Sequence, residues 1–391
     1  MRGFGPTRTK DSFVRTRMAL LIVGAMVAGN AAVSPAVAAD RGKVQRVLGK
    51  AVTEGDVPGI LAEIRDHHRR WFGSAGVADT AIGSKRRASH RFRIGSATKA
   101  FVATVMLQLV AERKVGLDDT VEKWLPGLVH GNGHDGAAVT IRQLLNHTSG
   151  IFDYLRDQGA VNQYPNPSPQ QLVQIAMTHP ASFQPGASWE YSQTNYALVG
   201  LIIERASGGA LADEIARRIA RPLGLAGTYL PGGADTKILG PHSRHYTRLY
   251  QTGPDAPTYD VTELNTSPFW AAGGMISTAG DLNRFFGALL GGRLLPPAQQ
   301  REMFTMVPTK DWLPDTTYGL GVSTVKLPCG TTVWGMGGAI YGSWSYAYGS
   351  RDGKHLVATN VNGDWASGRW KDPIGIFNDV LQAEFCSDDH R

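Results

Sequence analysis

Strand-forming sequence sits toward both ends of this chain and helix-forming sequence fills the middle, and that order restricts the fold more than any single motif. Gly59 to Arg65 and Arg70 to Val77 flank Asp66-His67-His68-Arg69 and read as a β-hairpin, with His67 and His68 in an exposed turn. Strand-like sequence returns in Tyr318 to Val325, Thr331 to Trp334, Ser343 to Ser350 and His355 to Asn362. Between these ends, residues 140–145, 169–177, 195–206 and 210–220 carry helical patterning, separated by Pro- and Gly-rich turns. A closing helix is expected over 373–385. The implied class is α/β, with a part made of 39–110 and 266–391 interrupted by a mostly helical part over 111–265. A cleft between two such parts is the expected place for a site.

Ser96-Ala97-Thr98-Lys99 sets a hydroxyl and an amine one helical turn apart, so Lys99 could take the proton of Ser96 and leave a nucleophile. With 21 Ser and 12 Lys in 391 residues, chance alone supplies about 0.6 such matches, and a second one occurs at Ser323-Thr324-Val325-Lys326. Context separates the two. After Lys99, apolar residues at 102, 105, 106, 109 and 110 predict a helix with a buried face, stopping near Gly116. The second match lies in strand-like sequence, which would point Ser323 and Lys326 to opposite faces.

Five cations (Arg2, Arg8, Lys10, Arg15, Arg17) and one anion (Asp11) precede or border an apolar run from Met18 to Gly29, followed by Ala36-Val37-Ala38. This is the three-part pattern of a secretory leader over residues 1–38, cut after Ala38 or Ala39. The apolar run is too short to span about 30 Å of hydrocarbon, and no later segment is long and apolar enough, so no stable membrane span is expected after processing. Removing the leader takes away five cations and one anion, so the net charge falls from +7 to about +3. No Lys/Arg cluster with interleaved aromatics remains, which argues against nucleic acid as a partner. In an oxidising compartment the isolated pair Cys329 and Cys386 reads as a structural disulfide, the alternative being two buried thiols. The histidines are scattered without metal-ligand spacing, and neither metal nor cofactor is expected.

Further segments fall in order along the chain: Arg93 to Lys99, Thr140 to Gly150 (ending Asn146-His147-Thr148-Ser149-Gly150), Tyr191-Ser192-Gln193-Thr194-Asn195-Tyr196, Trp270 to Thr278, and Trp334-Gly335-Met336-Gly337-Gly338. Together they resemble the serine β-lactamase and DD-peptidase superfamily, in particular its secreted D-alanyl-D-alanine carboxypeptidases and class C-like hydrolases. The resemblance runs from about Gly59 to Cys386. It implies the β-lactamase-like fold, an antiparallel sheet flanked by helices plus a mostly helical subdomain. It also implies an acyl-enzyme at Ser96, with Lys99 as activating amine and Tyr191 as proton relay. The backbone N–H groups of Ser96 and Ala339 would form the oxyanion hole. Gln193, Thr148, Trp270, Met336 and Gly337 match substrate-facing positions, and the Cys329–Cys386 bridge has a counterpart in some relatives. His147 is expected to be structural.

Two departures bear on the substrate. The family's Tyr-x-Asn becomes Tyr191-Ser192-Gln193, one methylene longer at the amide. Its third box, Lys-Thr-Gly or His-Thr-Gly, becomes Met336-Gly337-Gly338, which loses both the cation and the hydroxyl that would meet a substrate carboxylate. The resemblance implies a cell-wall stem peptide ending in D-alanine, or a β-lactam, as partner; the altered box fits a neutral ester or amide better. A non-catalytic penicillin-binding module is the alternative outside the enzymes.

Overall fold

The two strand-rich ends of the chain meet in one sheet. The computed structural model describes residues 35–249, 251 and 255–386 of the 391. The expected leader lies outside them as far as residue 34. The strands are β1 (Gly59–Asp66), β2 (Arg69–Asp79), β3 (Ser84–Lys85), β4 (Val307–Pro308), β5 (Thr316–Tyr318), β6 (Ser323–Lys326), β7 (Thr332–Ile340), β8 (Ser343–Gly349) and β9 (His355–Val361). They lie in the order β4-β5-β6-β7-β8-β9-β1-β2-β3, each pair antiparallel. The closing pair is β9 with β1, with Ile60 opposite Val361 and Asp66 opposite His355.

Because side chains alternate along a strand, β1 serves two cores at once. Ile60, Ala62 and Ile64 face helices α1 (Pro35–Thr53) and α5 (Pro373–Phe385), packing with Leu48, Phe377 and Val380. Leu61 faces the other layer, which contains α2 (Thr98–Ala111) and α4 (Ala279–Leu290). There Phe101 and Phe285 stack with ring centroids 3.6 Å apart. Helix α3 (Gln193–Ser207) packs against α2 and anchors the inserted region between the sheet's two halves. That region also holds short helices at Ile141–Leu145 and Pro169–Met177, and its described strands are only two residues long.

Several elements differ from the sequence expectation. Helix α2 stops at Ala111, five residues before Gly116, and is buried on nearly every side rather than along one stripe, as befits a helix between two layers. Residues 318–325 form two strands, because Gly319 N–H bonds to Val322 C=O at 2.8 Å and Gly321 takes φ +78°. A side chain at Gly321 would also run into Ala103 and the Lys99 carbonyl, so this turn sits directly on α2. Ser323 is buried and Lys326 exposed, at opposite ends of β6. Cys329 in the β6–β7 turn and Cys386 at the end of α5 form a disulfide with Cα atoms 5.9 Å apart. It ties the last helix to the sheet.

Candidate active site

The chain reaches Ser96 through a tight turn. Gly95 takes φ +50°, and residues 95–97 form one turn of 3-10 helix before α2 starts at Thr98. Strand β7 crosses this turn at close range. A Cβ on Gly95 would lie 2.7 Å from Ala339 N, and one on Gly338 would lie 1.9 Å from Ile94 O and 2.6 Å from Ser96 N. Only glycine permits that approach. It sets the backbone of Ala339 beside that of Ser96, and both residues line the same cavities.

One turn into the helix, Lys99 Nζ lies 3.3 Å from Ser96 Oγ. It also donates to Gln193 Oε1 at 2.6 Å and to the Ala272 carbonyl at 2.8 Å. Burial lowers the Lys99 pKa to about 7, partly opposed by the charge of Asp153. A neutral amine has two N–H groups and one lone pair. With both N–H groups held by Gln193 and Ala272, the lone pair is left for the Ser96 hydroxyl. The longer amide at position 193 therefore reaches the amine directly.

Tyr191 lies in the extended segment just before α3, and Lys99 Nζ is 4.6 Å from its ring centroid. Its buried hydroxyl makes no hydrogen bond of strict geometry, yet it is near enough to Ser96 for the serine to oppose the effect of burial. Burial dominates and pushes the phenol well above its ordinary pKa, which favours the neutral phenol over the phenolate.

His147 packs against Tyr191 with ring centroids 4.3 Å apart and planes tilted by 34°, and it accepts at Nδ1 from Ser192 N and Asn195 Nδ2. Burial, then the charge of Lys99, hold its pKa well below the usual value. Neutral and fully enclosed, it shapes the start of α3 and supplies no replacement cation. Asp153 is a residue that sequence reasoning missed. Its Oδ1 accepts from the backbone of Leu155 and Gln193, and burial raises its pKa to about 6. The only signal for it was an acidic residue three positions after Gly150.

The profile of the family described as Beta-lactamase matches residues 44–368. The chain belongs to the beta-lactamase family. It is 45% identical to a D-stereospecific amidohydrolase from Streptomyces sp., with a TM-score of 0.79 over 88% of this chain and 98% of that one. It is 26% identical to the D-amino acid amidase of Ochrobactrum anthropi SV3, with a TM-score of 0.77 and the same coverage. Penicillin-binding protein 4* of Bacillus subtilis is 30% identical over 63% of this chain and 54% of its own. The chain spans about half the length of the curated relatives it matches. These likenesses carry the β-lactamase-like fold and a serine hydrolase ancestry.

Within this member of the family, two cavities meet at Ser96. The first, about 430 Å³, is walled by apolar groups, among them Leu155, Val161, Phe269 and Ile340, interleaved with the amides of Gln158, Asn162, Gln193 and Asn265. The second, about 230 Å³, is lined by Tyr191, Gln193, Trp312, Met336, Gly337 and Tyr346 among others, and no lining residue is charged. Met336 is buried, with the Ser323 hydroxyl 3.7 Å from its sulfur. A Cβ at Gly337 would lie 2.4 Å from the Tyr346 ring, so the ring takes the place of a hydroxyl-bearing side chain.

Two sequence-matched residues lie elsewhere. Thr148 Oγ1 donates to Asn146 Oδ1 at 2.7 Å and braces the turn after the 141–145 helix. The Trp270 indole covers Gly200 of α3, while its neighbours Pro268 and Phe269 line the first cavity. Neither Thr148 nor Trp270 lines either cavity at Ser96. A motif match reports chain position, and local packing decides where the side chain points.

Proposed function

We propose that this protein is an exported serine amidohydrolase that forms an acyl-enzyme at Ser96 from neutral amides of D-amino acids with apolar side chains. The observation that carries it is the uncharged pocket at Met336 and Gly337. A substrate carboxylate desolvated there would meet no cation, at a cost of several kcal/mol. A carboxamide or ester meets no such penalty, which favours this reading over a D-alanyl-D-alanine carboxypeptidase. The apolar part of the first cavity, at Leu155, Val161, Phe269 and Ile340, suits the acyl side chain. The Streptomyces and Ochrobactrum enzymes, by their names, support the D-configuration and the amide.

In the proposed reaction, neutral Lys99 takes the Ser96 proton as Oγ attacks the carbonyl carbon. The carbonyl oxygen becomes an oxyanion facing the N–H groups of Ser96 and Ala339. Its collapse breaks the C–N bond while the Tyr191 phenol protonates the leaving nitrogen. Tyr191 recovers a proton from Lys99, and ammonia departs. Water then attacks the Ser96 ester with the same groups acting in reverse, freeing the amino acid.

Comparing D-phenylalanine amide, L-phenylalanine amide and a peptide ending in D-Ala-D-Ala tests this reading. The D-amide is expected to exceed the other two in kcat/KM by about tenfold or more. A preference for the peptide with its free carboxylate would refute it. Export rests on the leader over 1–38 and is supported by the Cys329–Cys386 bridge. Protein recovered outside the expressing cell should begin at Ala39 or Asp40; retention inside with an intact first residue would contradict export.

A further inference from the structure

Beyond the 230 Å³ pocket, which in the proposed reaction takes the leaving group, lies a larger open groove of about 730 Å³, and the two share two lining residues, Trp312 and Leu313. The groove continues along β7, passing Trp334 and Thr332, with Thr324 and Lys326 on the adjacent β6 and Thr317 on β5 beyond it. From Ala339 to Thr332 a strand advances about 23 Å, enough for several residues of an extended chain. Trp312 stands at the junction. Its ring stacks on Tyr191, with centroids 5.5 Å apart and planes 10° from parallel, and it also packs on Trp189 and Tyr318. These three aromatic contacts hold the indole in place from the pocket side.

We propose that Trp312 is the residue that sets leaving-group size, closing the inner pocket around a small neutral group and shutting off the groove that would take a peptidyl continuation. This rests on the amidohydrolase reading above. Two features of the groove suit a peptide. Its wall mixes two tryptophans, Trp312 and Trp334, with threonines, and its charges, Asp311, Asp315 and Lys326, line the groove and not the pocket at Ser96. Lys326 therefore belongs to the outer groove. A leaving group reaches it only after passing Trp312.

The test compares wild type, Trp312→Ala, Trp312→Phe and Leu313→Ala on D-phenylalanine amide and D-Phe-Gly-Gly-amide, which lacks a terminal carboxylate. Because Trp312 braces Tyr191, rates on both substrates are expected to fall in Trp312→Ala; the ratio is the readout. The kcat/KM ratio of peptidyl to simple amide should rise about tenfold or more in Trp312→Ala, the range a reshaped pocket supplies. It should rise less in Leu313→Ala, which opens the same wall from a residue with no ring on Tyr191, and stay within about threefold in Trp312→Phe. Equal losses on both substrates would reduce Trp312 to packing and overturn the proposal. So would a wild type that already cleaves the peptidyl substrate as well as the amide. A wild type that cleaves neither would instead strike the amidohydrolase reading.

Discussion

Replacing Lys99 by Met is expected to lower kcat/KM for D-phenylalanine amide by about 10⁴-fold or more, and Ser96→Ala should do the same. The double variant should be no worse than either single one, because nucleophile and base act as one unit. The reason is geometric. Gln193 Oε1 and the Ala272 carbonyl occupy two N–H groups of the amine, and Ser96 Oγ, at 3.3 Å, is its remaining partner. Met fills a similar volume without a lone pair of comparable basicity. It leaves two acceptors without a donor, at a stability cost of about 1–3 kcal/mol, which a urea titration would register separately from activity.

The same residue sets an expected pH profile. Burial lowers the Lys99 pKa to about 7, and catalysis needs the neutral amine, so kcat/KM should drop about tenfold per pH unit below that value. Asp153, whose charge favours the protonated amine, sharpens the test. Asp153→Asn should move the acid limb to lower pH, because removing the carboxylate eases loss of the proton. An acid limb that stays unmoved in Lys99→Met would remove Lys99 from the role of base.

Much of this arrangement is legible in the sequence. Helical spacing after Ser96 located α2, and the segments over 169–177 and 373–385 form helices with those limits. What escaped was governed by tertiary contact. Helix α1 overlaps the end of the leader pattern and shows its role only when Leu48 meets Phe377 and the strands beneath. Strand-like sequence reads only from Thr331 to Trp334, and β7 instead runs on through Met336-Gly337-Gly338 to Ile340, since paired neighbours tolerate glycines that a propensity scale penalises. Trp312 belongs to no motif, in a loop of Asp and Pro. Its stacking on Tyr191 joins positions more than a hundred residues apart, a contact that no local pattern encodes.

The second large effect is expected from a single methyl group. In Gly338→Ala the new Cβ would sit 1.9 Å from Ile94 O and 2.6 Å from Ser96 N, both of them backbone atoms that cannot swing aside. Strand β7 must retreat from the turn that carries Ser96, and Ala339, the next residue, must move with it. If the N–H groups of Ser96 and Ala339 hold the oxyanion, their separation is set here, and losing one donor costs about 10²–10³ in kcat. The β7–β8 pairing, in which Gly338 lies opposite Ser345, keeps the strand in the sheet, so the fold should survive with a lower melting temperature. Substrate binding away from the oxyanion is less affected, so the loss should fall on kcat more than on KM. Gly337→Ala is the matched comparison. Its Cβ would meet the Tyr346 ring, a side chain able to turn, and not the backbone of Ser96. A kcat loss in Gly338→Ala no greater than in Gly337→Ala would place the oxyanion site away from the β7 backbone.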